Sequence, residues 1–349
     1  MKKIIIGIDV SKEKIDASAI DVRNSQLGVL KLDYQAFENR TMGFRRMLVW
    51  ARRLLKGITL EEILFCCETT GGYDRSLCDY IYAKGLDIWR ESSLQIKKSS
   101  GLRKGKDDKA DSLTIAEYAM RHIDKAVSYI SPSETVRELK ALLLYRRKLE
   151  QEKTSKKVRV AELKSTAAKS RSVSFILRDA QKSIRVLEKS IKDCEKQILA
   201  LYDSDEELKK SYDQLISIRG IGIVNATAMI AYSNNFKNIT SSRKLASYYG
   251  IAPFRERSGT TIDKKAMVKC YSSSMLRAYL TQAAENTIRE HGIYHDYYTR
   301  LSARGKCHGI ALNNVKNKLL HLSLSLITND MDYEENHEVL RAIRKVQAG

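Results

Sequence analysis

The chain has 349 residues, enough for two or three domains with their own cores. A formal net charge of +20 points to a polyanionic partner, nucleic acid before a membrane surface, because no apolar run approaches the roughly 18 residues of a span. The six cysteines (Cys66, Cys67, Cys78, Cys194, Cys270 and Cys307) include no CxxC pair, which speaks against a disulfide framework or structural zinc and for a reducing cytoplasm. Only two prolines, with much Lys, Glu, Leu and Ala, favour helices, and the start lacks the long apolar region of a signal peptide.

Residues 2–11 open the chain with a β-branched run that carries Asp9 into what reads as a buried strand. A carboxylate in such a place needs a cation, a hydrogen-bond network or a bound metal. No Lys or Arg of the early strands stands out as its neutralising partner. Residues 14–20 and 27–32 read as two further strands, with turn chemistry at 21–25 between them. A helix is expected over 42–55, with Phe44, Met47, Leu48, Ala51 and Leu55 on its apolar face. Residues 63–67 form a continuous apolar run, typical of a strand buried on both faces. A helix over 73–83 and a strand over 86–89 follow. Three hairpin strands and then alternating helices and strands is the order of a ribonuclease-H-like α/β fold. Actin-like kinases share that opening, but the second glycine-rich phosphate loop they need is not found.

Three acids are candidates to join Asp9. Glu68 follows the buried strand at its carboxyl end, where open α/β sheets place ligands, in the turn sequence Glu68-Thr69-Thr70-Gly71-Gly72. Asp108 and Asp111 begin a helix, and an i, i+3 pair projects two carboxylates from one face about 5–6 Å apart. Acids also suit a first helical turn because of the helix dipole. Asp107 is an alternative ligand to Asp108, or a cap. Such an all-carboxylate set suits Mg²⁺ or Mn²⁺ rather than zinc. His291 and His295 lack an HExxH context and read as a solvated helix end. The segment 97–106, with Lys97, Lys98, Arg103, Lys104 and Lys106, reads as a basic loop, either plainly solvated or gripping phosphates.

Residues 133–202 contain neither Gly nor Pro, and Val173, Leu177, Ala180, Ile184, Leu187, Ile191, Cys194, Ile198 and Leu201 form a sustained heptad seam. Small and polar residues over 165–174 suggest a break between two long helices, giving an antiparallel hairpin that also dimerises as a coiled coil. Further on, Arg219-Gly220-Ile221-Gly222 between helices has the form of a helix-hairpin-helix element offering amides to a phosphate, with a plain helical turn as the rival. Ser258 is expected in a flexible loop beside Arg255, Arg257, Lys264 and Lys265, where guanidinium groups can hold charge on a phosphorus under attack. Ser-Gly is also ordinary turn chemistry. Helices over 272–290, 294–303 and 308–327 complete an all-α C-terminal part. The expected division is 1–125, 126–210, 211–330 and a loosely held tail, 331–349.

Ile8-Asp9 with Lys12-Glu13-Lys14, the Glu68-Thr69-Thr70-Gly71 turn, Asp108 and Asp111, Gly220-Ile221-Gly222 and Pro253…Ser258-Gly259 occur in the order seen in the Piv-type transposases of the insertion sequence one-ten family, which the chain resembles from Asp9 to about residue 320. That resemblance implies a RuvC-like N-terminal domain in which Asp9, Glu68, Asp108 and Asp111 hold Mg²⁺. It also implies a transposase domain whose Ser258 forms a covalent phosphoserine link to DNA, the two acting as a composite site. Family members work as dimers and tetramers with a structured non-coding bridge RNA that pairs with target and donor DNA. A prokaryotic, nucleoid-associated DNA recombinase is therefore expected. The alternative is a RuvC-like metal-dependent junction nuclease that uses water as nucleophile. The chain departs from the family pattern over 263–270, and Leu276-Arg277 resumes it.

Overall fold

The computed structural model describes residues 2–23, 30–54, 59–99, 108–166, 170–237, 239, 241–258, 262–268 and 274–333, with backbone alone at 30–32, 254–258 and 262–268. The chain divides into two compact units, Met1–Ser131 and Pro132–Gly349.

In the first unit the opening apolar run forms β1 (Ile4–Val10), fully buried except at Asp9. It pairs antiparallel with β2 (Lys14–Asp21), which pairs antiparallel with β3 (Leu30–Glu38). On its other side β1 runs parallel to β4 (Ile63–Glu68), and β4 runs parallel to β5 (Ile88–Glu91). The resulting order, β3-β2-β1-β4-β5, is that of the ribonuclease-H fold. Because side chains alternate along a strand, each central strand supplies two cores. Ile4, Ile6 and Ile8 face the side covered by α1 (Thr41–Leu54) and α2 (Arg75–Ala83). Ile5, Ile20, Leu64 and Cys66 face α4 (Asp108–Arg121) together with Ile96 of α3 (Ser93–Ser99).

Helix α4 lies unusually close to the sheet. A Cβ on Gly7 would stand 2.2 Å from the Ala116 nitrogen and 2.3 Å from the Ser112 carbonyl oxygen, so only glycine fits. Beside that contact the hydroxyls of Ser18 and Ser112 share a buried 2.8 Å hydrogen bond. A second fixed point is Asp74, which is fully buried and ion-paired with Arg90 of β5. It precedes α2 and accepts from the Thr70 N–H, clamping the turn after β4. Gly71 and Gly72 take φ of +51° and +114° in that turn, values that side chains disfavour.

Several expected elements are displaced. The third strand runs through polar residues such as Asp33, Gln35 and Glu38, because it is an edge strand with only Phe37 buried among its described side chains; residues 24–29 lie outside the described ones. The β5 ladder starts later than expected because Leu86 serves the core and Asp87 contributes only its carbonyl, to the Phe65 N–H. Glu68 is the last residue of β4 rather than the first beyond it. Lys97 and Lys98 belong to a helix and not a loop, since Ile96 pins α3 into the core; Arg103, Lys104, Lys106 and Asp107 lie outside the described residues.

The second unit opens with the hairpin of α5 (Glu134–Thr166) and α6 (Arg171–Asp203). Its antiparallel register is marked by Cys194 Sγ on the Leu142 carbonyl, Arg146 on Glu195 at 2.7 Å and Lys157 on Glu188 at 3.0 Å. The seam is buried at Ile191, Cys194 and Ile198, while Phe175 and Val186 stay exposed. Helices α7 (Glu206–Ile216), α8 (Ile223–Ser233), α9 (Ser242–Tyr248), α10 (Ser274–Arg289), α11 (Ile293–Ala303) and α12 (His308–Asn329) gather round one core that includes Tyr202, Leu215, Tyr249, Leu276 and Leu319. This part is not purely helical. Strands β6 (Pro253–Ser258) and β7 (Ile262–Val268) form an antiparallel hairpin, and Ser258 pairs with Ile262 at its end rather than sitting in a loop. Among the described residues no helix is long and apolar enough to cross a membrane.

Replacing Gly7 by Val should lower the unfolding free energy by about 3 kcal/mol or more, since backbone atoms on both sides would have to shift. Asp74→Ala should cost about 1–3 kcal/mol by removing the buried partner of half-exposed Arg90 and of the Thr70 N–H. Urea unfolding followed by far-UV circular dichroism measures both.

Candidate active site

The residues of β1, β2 and β4 that face α4 include, at the carboxyl ends of β1 and β4, two acids. Asp9 shares a face with Ile5 and Gly7, and Glu68 with Leu64 and Cys66, by the two-residue period of a strand. The register places Ile8 beside Cys67, so the two acids follow at adjacent positions. Asp16 stands opposite Asp9 on β2. The first turn of α4 supplies Asp108 and Asp111 to the same place. Carboxylate oxygens of Asp9, Asp108 and Asp111 all lie within 4.8 Å of one another.

The electrostatics of the cluster follow from burial and like charge. Desolvation, then Glu68, Asp111, Asp108 and Asp16, push the Asp9 carboxyl up to about 6. Burial also raises Glu68, Lys97 opposes the shift, and Asp111 and Asp74 add to it. One cation adjoins the cluster, on Asp108 and Asp16 rather than on Asp9. Lys14, at the start of β2, places its ammonium 2.5 Å from Asp108 and 3.2 Å from buried Asp16. These partners raise its pKa, the Asp108 hydrogen bond most. Asp16 also accepts a 2.6 Å hydrogen bond from Tyr34. Neither Lys14 nor Asp16 stood out as a site residue in the sequence, where both fall in the strand expected over 14–20. The signal was their two-residue spacing, which puts Lys14 and Asp16 on one face of the strand that pairs with β1.

The donor set fits a hard divalent cation: oxygens only, from β1 and α4, crowded closely enough to repel one another. Asp9, Asp108 and Asp111 would hold it, with Glu68 adjoining. A second grouping, Cys67, Asp74 and Cys78, is fully buried, but its carboxylate is already neutralised by Arg90 and burial together with Cys78 pushes the Cys67 thiol far up. It is a packed interior cluster, with the two sulfurs 3.6 Å apart.

The remaining candidates lie in the second unit. Gly220 has φ of +87° and packs against Thr287, whose hydroxyl donates to the Arg219 carbonyl, so the Gly-Ile-Gly turn is fixed to α10. Gly222 begins α8 without a side-chain cap, and the space beside it is open. Arg255 and Arg257 lie on β6, and Lys264 and Lys265 on β7. Their side chains, and that of Ser258, lie outside the described atoms.

The chain is 24% identical to the pilin gene-inverting proteins of Moraxella lacunata and Moraxella bovis, over 97% of its own length and 100% of theirs. The structure of Thermus thermophilus RuvC in complex with a Holliday junction substrate overlaps 36% of this chain and 99% of RuvC, with 12% identity and a TM-score of 0.27. The fold assignment above stands on strand order and not on that overlap. Residues 6–165 match the transposase family model DEDD_Tnp_IS110, and residues 212–299 match that of the transposase IS116/IS110/IS902 family. With both parts matched in order, the chain belongs to the IS110 family of transposases.

Proposed function

We propose that this transposase cleaves and rejoins DNA through a covalent phosphoserine intermediate. Asp9, Glu68, Asp108 and Asp111 hold Mg²⁺, or Mn²⁺ in its place, and Ser258 is the nucleophile. The observation that carries the reading is the convergence of Asp9, Asp108 and Asp111 within 4.8 Å beside Glu68. Four carboxylates set together need a cation to stay ionised, and a transposase has a use for one there. A bound divalent cation supplies charge stabilisation to the phosphate oxygens during in-line displacement.

The chain's own residues do the rest. Asp9 and Glu68 are rigid because they sit on buried strands, and Asp108 and Asp111 because α4 is locked to Gly7. Lys14 holds Asp108 and limits the repulsion when metal is absent. The Ser258 oxygen bonds to phosphorus while the bond to the leaving deoxyribose oxygen breaks, and the hydroxyl proton ends on that leaving group. One phosphoester replaces another, so the reverse reaction reseals a strand without ATP. Arg255, Arg257, Lys264 and Lys265 flank the serine in sequence and supply charge for the DNA backbone, as do Lys97, Lys98, Arg103, Lys104 and Lys106, which precede Asp108 in sequence; Gly220 and Gly222 offer amides to a phosphate. A structured non-coding guide RNA selects target and donor DNA, and the α5–α6 hairpin assembles dimers and then tetramers in the prokaryotic nucleoid. The net charge of +20 suits both nucleic acids.

Trapping the protein on DNA and mapping the attachment tests the reading. Wild type should yield a Ser258-linked adduct, and Ser258→Ala and Asp9→Ala none. Adduct from either variant overturns it, and cleavage by Ser258→Ala at full rate means that water attacks, as in a junction nuclease.

The acids also set a pH dependence. Asp9 is protonated more readily folded than unfolded, so it favours the metal-free fold below about pH 4 and loses that contribution as pH rises through about 6. Asp9→Asn should therefore raise the melting temperature of metal-free protein at pH 7.5. Mg²⁺ should raise the melting temperature of wild type, increasingly from pH 5 to pH 7, and leave Asp9→Asn unchanged. Thermal unfolding with and without chelator measures each.

A further inference from the structure

The two acids that come from the central strands stand just past the point where those strands are joined. The parallel ladder of β1 and β4 ends at the pair Ile8–Cys67, so Asp9 and Glu68 are the first residues beyond it. Past that pair a single side chain links the two segments. Asn39, between β3 and α1, donates from its amide nitrogen to the Ser11 carbonyl at 2.7 Å and to the Tyr73 carbonyl at 3.1 Å. Ser11 lies two residues beyond Asp9, and Tyr73 lies in the turn that follows Glu68. Among the described residues no other hydrogen bond joins residues 10–13 to residues 69–74.

Asn39 is itself held in place. Its backbone N–H donates to the Glu13 carbonyl at 2.9 Å, in the turn between β1 and β2. Helix α1 starts directly against the residue before it, since a Cβ on Gly43 would stand 1.9 Å from the Glu38 carbonyl oxygen. Both amide protons of Asn39 go to the two carbonyls, while its amide oxygen is buried with no partner among the described residues. An orphaned acceptor lowers stability, so the side chain is poorly explained as a stabiliser of its turn. It is well explained as a tether of fixed length between two chain segments.

We propose that Asn39 is a positioning residue of the metal site. It fixes the spacing of β1 and β4 at their carboxyl ends and so keeps Glu68 within reach of a cation held by Asp9, Asp108 and Asp111. The inference rests on the reading of those acids as a divalent-cation site. Asn39 acts through Glu68 because the other three acids have supports of their own. Asp9 is paired with Asp16 of β2, and Asp108 and Asp111 are set by the contact of α4 with Gly7. Glu68 is paired with Glu91 of β5, on the side of β4 away from β1, so the ladder leaves its distance from Asp9 to the tether.

The test is a double-mutant cycle on Mn²⁺ affinity, read from the electron paramagnetic resonance signal of the free ion with full-length protein. Asn39→Ala should weaken Mn²⁺ binding about tenfold, the low end of what loss of a group behind a metal ligand costs. In a Glu68→Gln background the same substitution should change the affinity by about twofold or less. The melting temperature of metal-free Asn39→Ala should stay within about 4 °C of wild type. Asn39→Ser, whose side chain is too short to reach both carbonyls, should repeat the result. Equal weakening with and without the Glu68 carboxylate overturns the proposal, whatever the melting temperature, because it marks a residue that serves the fold alone. Wild-type affinity in both Asn39 variants overturns it too. Failure of the metal-site reading looks different: wild type itself then binds no Mn²⁺, and the proposal falls with it.

Discussion

The backbone of α4 rests directly on β1 at Gly7, and the acidic cluster depends on that contact. With any side chain at position 7, Ala116 and Ser112 would be forced away and the first turn of α4 would leave the sheet. The contact sets both distance and direction. It brings Asp108 and Asp111 down onto the face that already carries Asp9 and Glu68, and the Ser18–Ser112 hydrogen bond holds the helix from sliding. The fold thus opposes its own electrostatics, since packing places carboxylates where their charges disfavour one another.

What tolerates this arrangement is local. Asp9 responds by a raised pKa, and Lys14 draws Asp108 and Asp16 toward one ammonium. The turn after Glu68 is held by Asp74 and Arg90, a buried pair worth keeping only if the turn geometry matters. Rigid support of this kind is what a phosphoryl-transfer site requires, because most of its effect comes from positioning and charge rather than from covalent chemistry on the acids.

Much of this was legible in the residues. The Ile4–Ile8 and Ile63–Cys67 runs can only be strands covered on both faces, and Asp9 and Glu68 at their ends mark one edge of the sheet. The α6 helix follows from the heptad seam over 173–201, which begins just after Ser170 caps its N-terminus. What escaped were features set by partners distant in sequence. Lys14 looks like a surface residue until β2 lies beside β1, and Gly7 looks like an ordinary strand glycine until α4 lies on it. Ser258 was expected in a loop because its neighbours are charged, yet cross-strand pairing with Ile262 draws it into a hairpin. The family match, covering both parts of the chain, agrees with the resemblance carried by these motifs.

The central claim is that Gly7 builds a divalent-cation site from Asp9, Glu68, Asp108 and Asp111. Anomalous diffraction from crystals grown with Mn²⁺ tests it most directly. The account predicts a manganese peak about 2.0–2.4 Å from oxygens of Asp9 and at least one of Asp108 and Asp111, with Lys14 displaced from Asp108. A well-ordered cluster with no peak, and Lys14 still bound to Asp108 at saturating Mn²⁺, would contradict it.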